Sequence, residues 1–199
     1  MKTWLTADWH LGETRMALMG RPFTSTEQMI NVLADNHNAL VKPEDIVYVV
    51  GDIVYQNAPE YLLFVGKFNG RKILFRGNHD RVFTDEQLAP YFEKIYAEGE
   101  GTNIQVGNRM CFITHYPTCG VIDRYNLVGH IHAAWKYQLN MLNVGVDVHH
   151  FRPVDADTIP FHFDAASKFY DQDVWVAYNQ INSTYTGQRG KAGTYFTKA

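Results

Sequence analysis

"RKILFRGNHDR", residues 71–81, begins as a strand and ends as something else. Arg71 to Phe75 rises into an apolar run, and the chain then sets Gly77, Asn78, His79 and Asp80 side by side. Turns are polar, but an amide, an imidazole and a carboxylate at one strand end exceed what a turn needs. A residue without a Cβ ahead of them lets the backbone bend sharply or approach another group closely.

The same arrangement recurs on both sides of this stretch. "DIVYVV", residues 45–50, is the β-branched pattern of a central strand buried on both faces, and it runs into Gly51 and Asp52. Residues 2–7 form a short strand that ends at Asp8 and His10. Between them, residues 24–41 read as a helix. Thr24 and Glu27 suit a capping box, and Ile30, Leu33, His37, Leu40 and Val41 recur on one face. Pro59 opens a second helical stretch, 59–68, with Gly70 just past its end. Thr84 and Gln87 open a short one to about Phe92. Beyond it the pattern is mostly strand: 94–97, 103–106, 109–114, 125–128 and 139–146. Strand and helix alternate first and strands follow, which predicts an α/β fold with a sandwich of mixed sheets.

Composition excludes several function classes. The 199 residues are 46% apolar and 14% aromatic, which suits a globular chain. A net charge of −3 exerts no global pull on nucleic acid or an anionic membrane. No apolar run reaches the ~20 residues that span a bilayer, so no membrane partner and a cytoplasmic location are expected. Cys111 and Cys119 are too few for a disulfide framework, and Cys111 falls in a core strand. From Asp164 the chain turns polar and glycine-containing, with scattered aromatics such as Phe169, Tyr170 and Trp175. A domain at 1–163 with a C-terminal extension at 164–199 is the expected division.

The donor residues cluster at strand ends. Asp8, His10, Asp52, Asn78, His115, His130 and His132 all follow predicted strands, where open α/β sheets build their sites. Aspartate, asparagine and histidine suit borderline divalent metals such as Mn, Fe, Co, Ni or Zn, and the lack of a cysteine argues against a closed structural zinc site. Seven donors exceed one ion with an open position and suit two ions sharing a carboxylate. His37 on its apolar helix face reads as a core histidine.

Together, Asp8-Trp9-His10, Gly51-Asp52, Gly77-Asn78-His79-Asp80, His115 and Gly129-His130-Ile131-His132 resemble the calcineurin-like metallophosphoesterase superfamily. "GRPF" (20–23) and "VGVDVHHFRPV" (144–154) are similar to small bacterial and phage phosphoesterases of that fold. The resemblance implies a four-layer αββα sandwich over roughly residues 1–160. It implies two divalent ions, manganese first among the candidates. Asp8, His10 and His132 would hold one, Asn78, His115 and His130 the other, with Asp52 between them. It implies hydrolysis of a small phosphomonoester or phosphodiester, a nucleotide or cyclic nucleotide included, by a metal-activated hydroxide. His79 would face the phosphoryl group, and Asp80 would orient its ring. Arg15 and Arg81 are the candidates to clamp substrate phosphate.

The alternative is a nuclease with the same chemistry. It needs a basic, aromatic-lined path, which the net charge does not support. A non-catalytic scaffold on the same fold is disfavoured by the intact donor set.

Overall fold

The computed structural model describes residues 1–168. Among them are ten strands: β1 (Thr3–Thr6), β2 (Ile46–Val49), β3 (Arg71–Phe75), β4 (Lys94–Tyr96), β5 (Gly101–Val106), β6 (Arg109–Thr114), β7 (Tyr125–Val128), β8 (Tyr137–Gln138), β9 (Met141–Asn143) and β10 (Val154–Asp155). Three α-helices join them: α1 (Thr26–Asn38), α2 (Asp85–Leu88) and α3 (Ile159–Lys168).

The strands make two mixed five-stranded sheets, ordered β10-β1-β2-β3-β4 and β5-β6-β7-β9-β8. Strands β1 to β4 run parallel, with Leu5 beside Tyr48 and Tyr48 beside Ile73. In the second sheet β6, β7 and β9 are parallel, and β5 and β8 pair antiparallel at its edges. This register brings the carboxyl ends of the parallel strands in each sheet out along one edge.

Alternation along each strand divides the core in two. Trp4, Val47, Val49 and Leu74 pack with Met29, Ile30 and Leu33 of α1. Leu5, Val50 and Phe75 turn the other way, to meet Cys111, Ile113, Leu127 and Leu142 of the second sheet. Helix α3 adds Ile159 and Phe163 to this second core, with Phe163 stacked on Tyr125 at 3.8 Å. Two mixed sheets flanked by helices is the sandwich class expected. No helix among the described residues is long and apolar enough to cross a membrane.

Local chemistry moved several boundaries. The cap of α1 is Ser25, which accepts from the Gln28 amide, while Gln28 reaches back to the Thr24 amide at 2.7 Å. The capping pair is therefore one residue later than Thr24 and Glu27 suggest. Residues 59–67 wind as a 3-10 helix within the helical stretch expected at 59–68. The expected strand at 139–146 shortens to β9, because Leu139 takes a left-handed φ of +53° ahead of it and a 3-10 turn starts at Val146. Helix α3 runs across position 164; the tail aromatics from Phe169 onward lie outside the described residues.

Asp45 locks the amino end of the first sheet. Its carboxylate accepts from the Lys2 amide at 2.6 Å, the Lys42 amide at 3.1 Å and the Trp4 indole at 3.1 Å. These donors, the Lys2 amide first, hold its pKa down to about 2. A carboxylate depressed in the folded state stabilises the fold above its unfolded pKa of about 3.9, and that stability is lost as pH falls from there to about 2. Acid unfolding of the Asp45→Asn protein should therefore be shallower than that of the parent over this window. Parallel acid titrations followed by circular dichroism check this; superimposable curves would refute it.

Candidate metal centre

Six of the seven donor residues predicted from the sequence, Asp8, His10, Asp52, His115, His130 and His132, come together at the carboxyl edge, drawn from both sheets. Three groups offer ligand atoms within 4.8 Å of one another: Asp8, His10 and His132; His10, Asp52 and His79; and Asp52, His115 and His130. Asp52 is the common member of the last two. Its Oδ1 accepts from the His79 amide at 2.9 Å, and its Oδ2 stands 3.5 Å from both His10 Nε2 and His115 Nε2.

Two of the imidazoles are oriented by a partner behind the ring. His115 Nδ1 donates to the Val50 carbonyl at 2.7 Å, so Nε2 is the unprotonated nitrogen of the neutral ring. His132 Nδ1 meets Asp147 Oδ2 at 2.9 Å, which leaves its Nε2 toward the centre. Such a carbonyl or carboxylate behind the ring is the usual support of a metal-binding histidine. His10 Nδ1 and Nε2, His115 Nε2 and Asn78 Oδ1 are buried and find no hydrogen-bond partner among the described residues. Buried polar atoms without partners are costly, and His10 Nε2 and His115 Nε2 both stand 3.5 Å from Asp52 Oδ2. Nitrogen and oxygen donors of this kind fit divalent cations.

Burial shifts the charges of the centre. Burial pushes the Asp8 carboxyl up to about 6 and the His10 imidazole down to about 4. Burial also works against the charge of Asp52, yet His10 and His115 beside it hold it below the usual carboxylate range.

The backbone is bent to make this geometry. Asp8, His10, Asp52, His130 and His132 all have positive φ, between +47° and +76°. Each such residue costs about 1–2 kcal/mol for an L side chain, and aspartate and histidine tolerate it better than most. The glycines in front of the donors are pressed against the centre. A Cβ on Gly77 would lie 2.3 Å from Asp52 Oδ1, and one on Gly51, whose φ is +83°, would lie 2.4 Å from His115 Nδ1.

Asp80 departs from the expected arrangement. It does not orient His79. Its Oδ2 accepts from the amides of Asp52 and Gly77, both at 2.9 Å, and its Oδ1 from the Ile53 amide at 3.0 Å. Fully buried, it staples the loop after β2 to the loop after β3. Burial, with the nearby charge of Asp52, pushes its pKa up to about 7. The partner of His79 is the Gln56 amide, which donates to Nδ1 at 3.3 Å. Neutral His79 consequently carries its proton on Nε2. Its ring lies 4.5 Å from that of His10.

Arg15 and Arg81 are each bound to a carboxylate. Arg15 chelates Glu13 and covers Tyr55 at 4.7 Å; Arg81 pairs with Glu98, which also receives the Tyr116 hydroxyl. His37 is the core histidine expected, with Nε2 3.0 Å from the Asn69 carbonyl.

Sequence reasoning missed Asp147 and undervalued Arg21. Arg21, the arginine of the "GRPF" stretch, has a fully buried side chain that binds Asp147 at 2.7 Å, the Trp9 carbonyl at 2.8 Å and the Asp8 carbonyl at 2.5 Å. A signal existed, since a ligand histidine needs a partner and Asp147 lies within the quoted "VGVDVHH" run. Asn143 was missed too; it ties the His132 and Trp135 carbonyls at 2.7 and 2.9 Å.

The family model of calcineurin-like phosphoesterases matches residues 1–187. The chain belongs to that family. Calcineurin-like phosphoesterases hydrolyse phosphoester bonds with divalent metals in a dinuclear site, and the clusters described above can supply its donors. An uncharacterized protein of Methanocaldococcus jannaschii is 27% identical over 171 residues, covering 79% of this chain and 89% of that protein. A protein of unknown function from Aquifex aeolicus has a crystal structure that superposes with a TM-score of 0.60 at 24% identity, over 80% of this chain and 97% of the other, and it shares the fold. A Pseudomonas putida nuclease gives a TM-score of 0.45 at 22% identity, over 65% of this chain and 61% of its own.

Proposed function

We propose that this calcineurin-like phosphoesterase hydrolyses a small phosphate ester with two divalent ions. The observation that carries the proposal is the set of partnerless buried donors gathered around Asp52. Asp8, His10 and His132 would hold one ion, Asn78, His115 and His130 the other, and Asp52 Oδ2 would lie between. Paired ions clamp a phosphate and activate water near neutral pH. Manganese is the first candidate for both.

The protein's own groups do the rest. The His130 amide donates to both oxygens of Asp8, at 3.0 and 3.1 Å, and fixes that carboxylate. Asp80 fixes the backbone that carries Asp52. His79, with Nδ1 occupied by the Gln56 amide, presents Nε2–H as a donor to a phosphoryl or leaving oxygen. Arg15, Arg21 and Arg81 are all bound to carboxylates. That supports a small substrate over a polynucleotide, which needs a free basic path.

The direct test is turnover of p-nitrophenyl phosphomonoesters and diesters over a series of divalent metals. No turnover with any metal would reject the proposal. His79→Ala should lower kcat by roughly a hundredfold on alkyl esters, and less on aryl esters with good leaving groups. Bound metal should be unchanged. A fall in metal content would instead make His79 a ligand with His10 and Asp52, as their proximity permits.

A further inference from the structure

The turn that joins the two sheets carries Glu98. Strand β4 is an edge of the first sheet and β5 an edge of the second, and residues 97–100 cross between them. The crossing is tied in place. The Ala97 amide donates to Glu100 Oε2 at 2.9 Å, the Glu100 amide to the Ala97 carbonyl at 3.0 Å, and the Thr114 hydroxyl to the Glu100 carbonyl at 3.2 Å.

From this turn Glu98 reaches both sheets. Its two oxygens accept from Nε and Nη2 of Arg81 in a parallel fork, and its Oε1 also accepts the Tyr116 hydroxyl. Arg81 belongs to the 3-10 turn Asn78–Val82, which follows β3. Tyr116 follows β6, and its ring centroid lies 4.8 Å from those of both His115 and His130. One carboxylate therefore ties the turn that bears Asn78 to the ring packed on two histidines of the centre. Asn78, His115 and His130 are the donors of one ion in the proposed centre, and they come from different sheets.

His130 is the donor with the greatest need of such a tie. His115 and His132 each have a partner behind the ring, the Val50 carbonyl and Asp147. His130 bonds to Asp8 through its amide, and among the described residues its ring has no such partner. Its ring rests edge to face against Tyr116 and against His115, the latter at 5.2 Å. A ring contact orients its neighbour only as firmly as the supporting ring is itself held, and Glu98 holds Tyr116 at its hydroxyl end.

We propose that Glu98 and Tyr116 are positioning residues for the ion that Asn78, His115 and His130 would hold. Glu98 sets the spacing between the two sheets at that ion, and Tyr116 carries the constraint to the His130 ring. Neither side chain is a ligand. This role rests on the two-ion reading of the centre.

The test is calorimetric titration of Mn²⁺ into the metal-depleted full chain, with Glu98→Gln and Tyr116→Phe beside the parent. Phenylalanine keeps the ring against both histidines and loses only the hydroxyl. Glutamine keeps the size and loses the charged fork. In each variant one of the two binding steps should weaken by about tenfold, as loss of support behind a metal ligand does, while the other keeps its Kd. Thermal unfolding should change little, because the Arg81 side chain is 65% exposed and ion pairs open to water add little stability. Tyr116→Phe keeps the test sound if Glu98→Gln fails to fold. Unchanged affinity for both ions in both variants would overturn the proposal and leave the phosphoesterase reading in place. Equal weakening of both steps with a lower Tm would overturn it in favour of a merely structural tie. A parent that takes up fewer than two ions would overturn it together with the two-ion reading. The expected shift without turnover of any phosphate ester would reject hydrolysis and keep this role.

Discussion

Asp52→Asn should lower phosphoester hydrolysis by about a thousandfold or more while leaving the fold in place. Asn has the shape of Asp and tolerates the left-handed φ of +54° found at this position. Its side-chain oxygen still accepts from the His79 amide, as Asp52 Oδ1 does at 2.9 Å. What disappears is the negative charge between His10 Nε2 and His115 Nε2, each 3.5 Å from Oδ2. Two cations held a few ångströms apart repel each other strongly, and a shared carboxylate offsets that repulsion. Bound metal should therefore fall from two ions per chain to one or fewer. Elemental analysis and steady-state kinetics on the same preparation check both halves. Full metal content with full activity would remove Asp52 from the centre.

Arg21→Met should destabilise the protein by about 3–5 kcal/mol, as expected when one partner of a buried ion pair is removed. For a domain of this size that is a fall of roughly 6–20 °C in Tm. The loss is large because Asp147 would remain buried without its partner, and the Asp8 and Trp9 carbonyls would each lose a donor. Replacing Asp147 as well, as Arg21→Met with Asp147→Leu, should recover part of that stability. Metal affinity should not recover. His132 Nδ1 loses its carboxylate in the double variant, and loss of such support weakens metal binding by about 10- to 100-fold. Thermal unfolding of both variants with metal titrations separates the two effects. A double variant less stable than Arg21→Met would refute the account of the first.

The donors were legible because they are local signals. A polar donor that ends an apolar strand stands out in a linear chain, three times here behind a glycine, and five such strand ends share one chemistry. The sheets followed from the β-branched runs at 45–50 and 71–75. Support contacts were harder to read. Arg21 and Asp147 are 126 residues apart, and nothing nearby in the sequence shows that Arg21 is buried. Asp80 misled for the opposite reason. Adjacent to His79, it was read as its partner, but at the start of a 3-10 turn its side chain points back to the amides of Gly77, Asp52 and Ile53. Adjacency in sequence is a poor guide to side-chain direction where the backbone turns tightly. Leu139 shows the same limit: it was assigned to the start of a strand, and its left-handed backbone delays that strand to Met141.

The bent backbone at Asp8, His10, Asp52, His130 and His132 restricts how this centre can change its preferred ion. Glutamate and cysteine bind metals well, but neither settles readily into a left-handed conformation. The accessible alphabet at these positions is aspartate, asparagine and histidine, with glycine as the silent letter. Routes toward softer or harder ions that stay within those letters keep the scaffold. Sulfur, by contrast, would have to enter at Asn78 or His115, the two donor positions where the backbone does not fix the spelling.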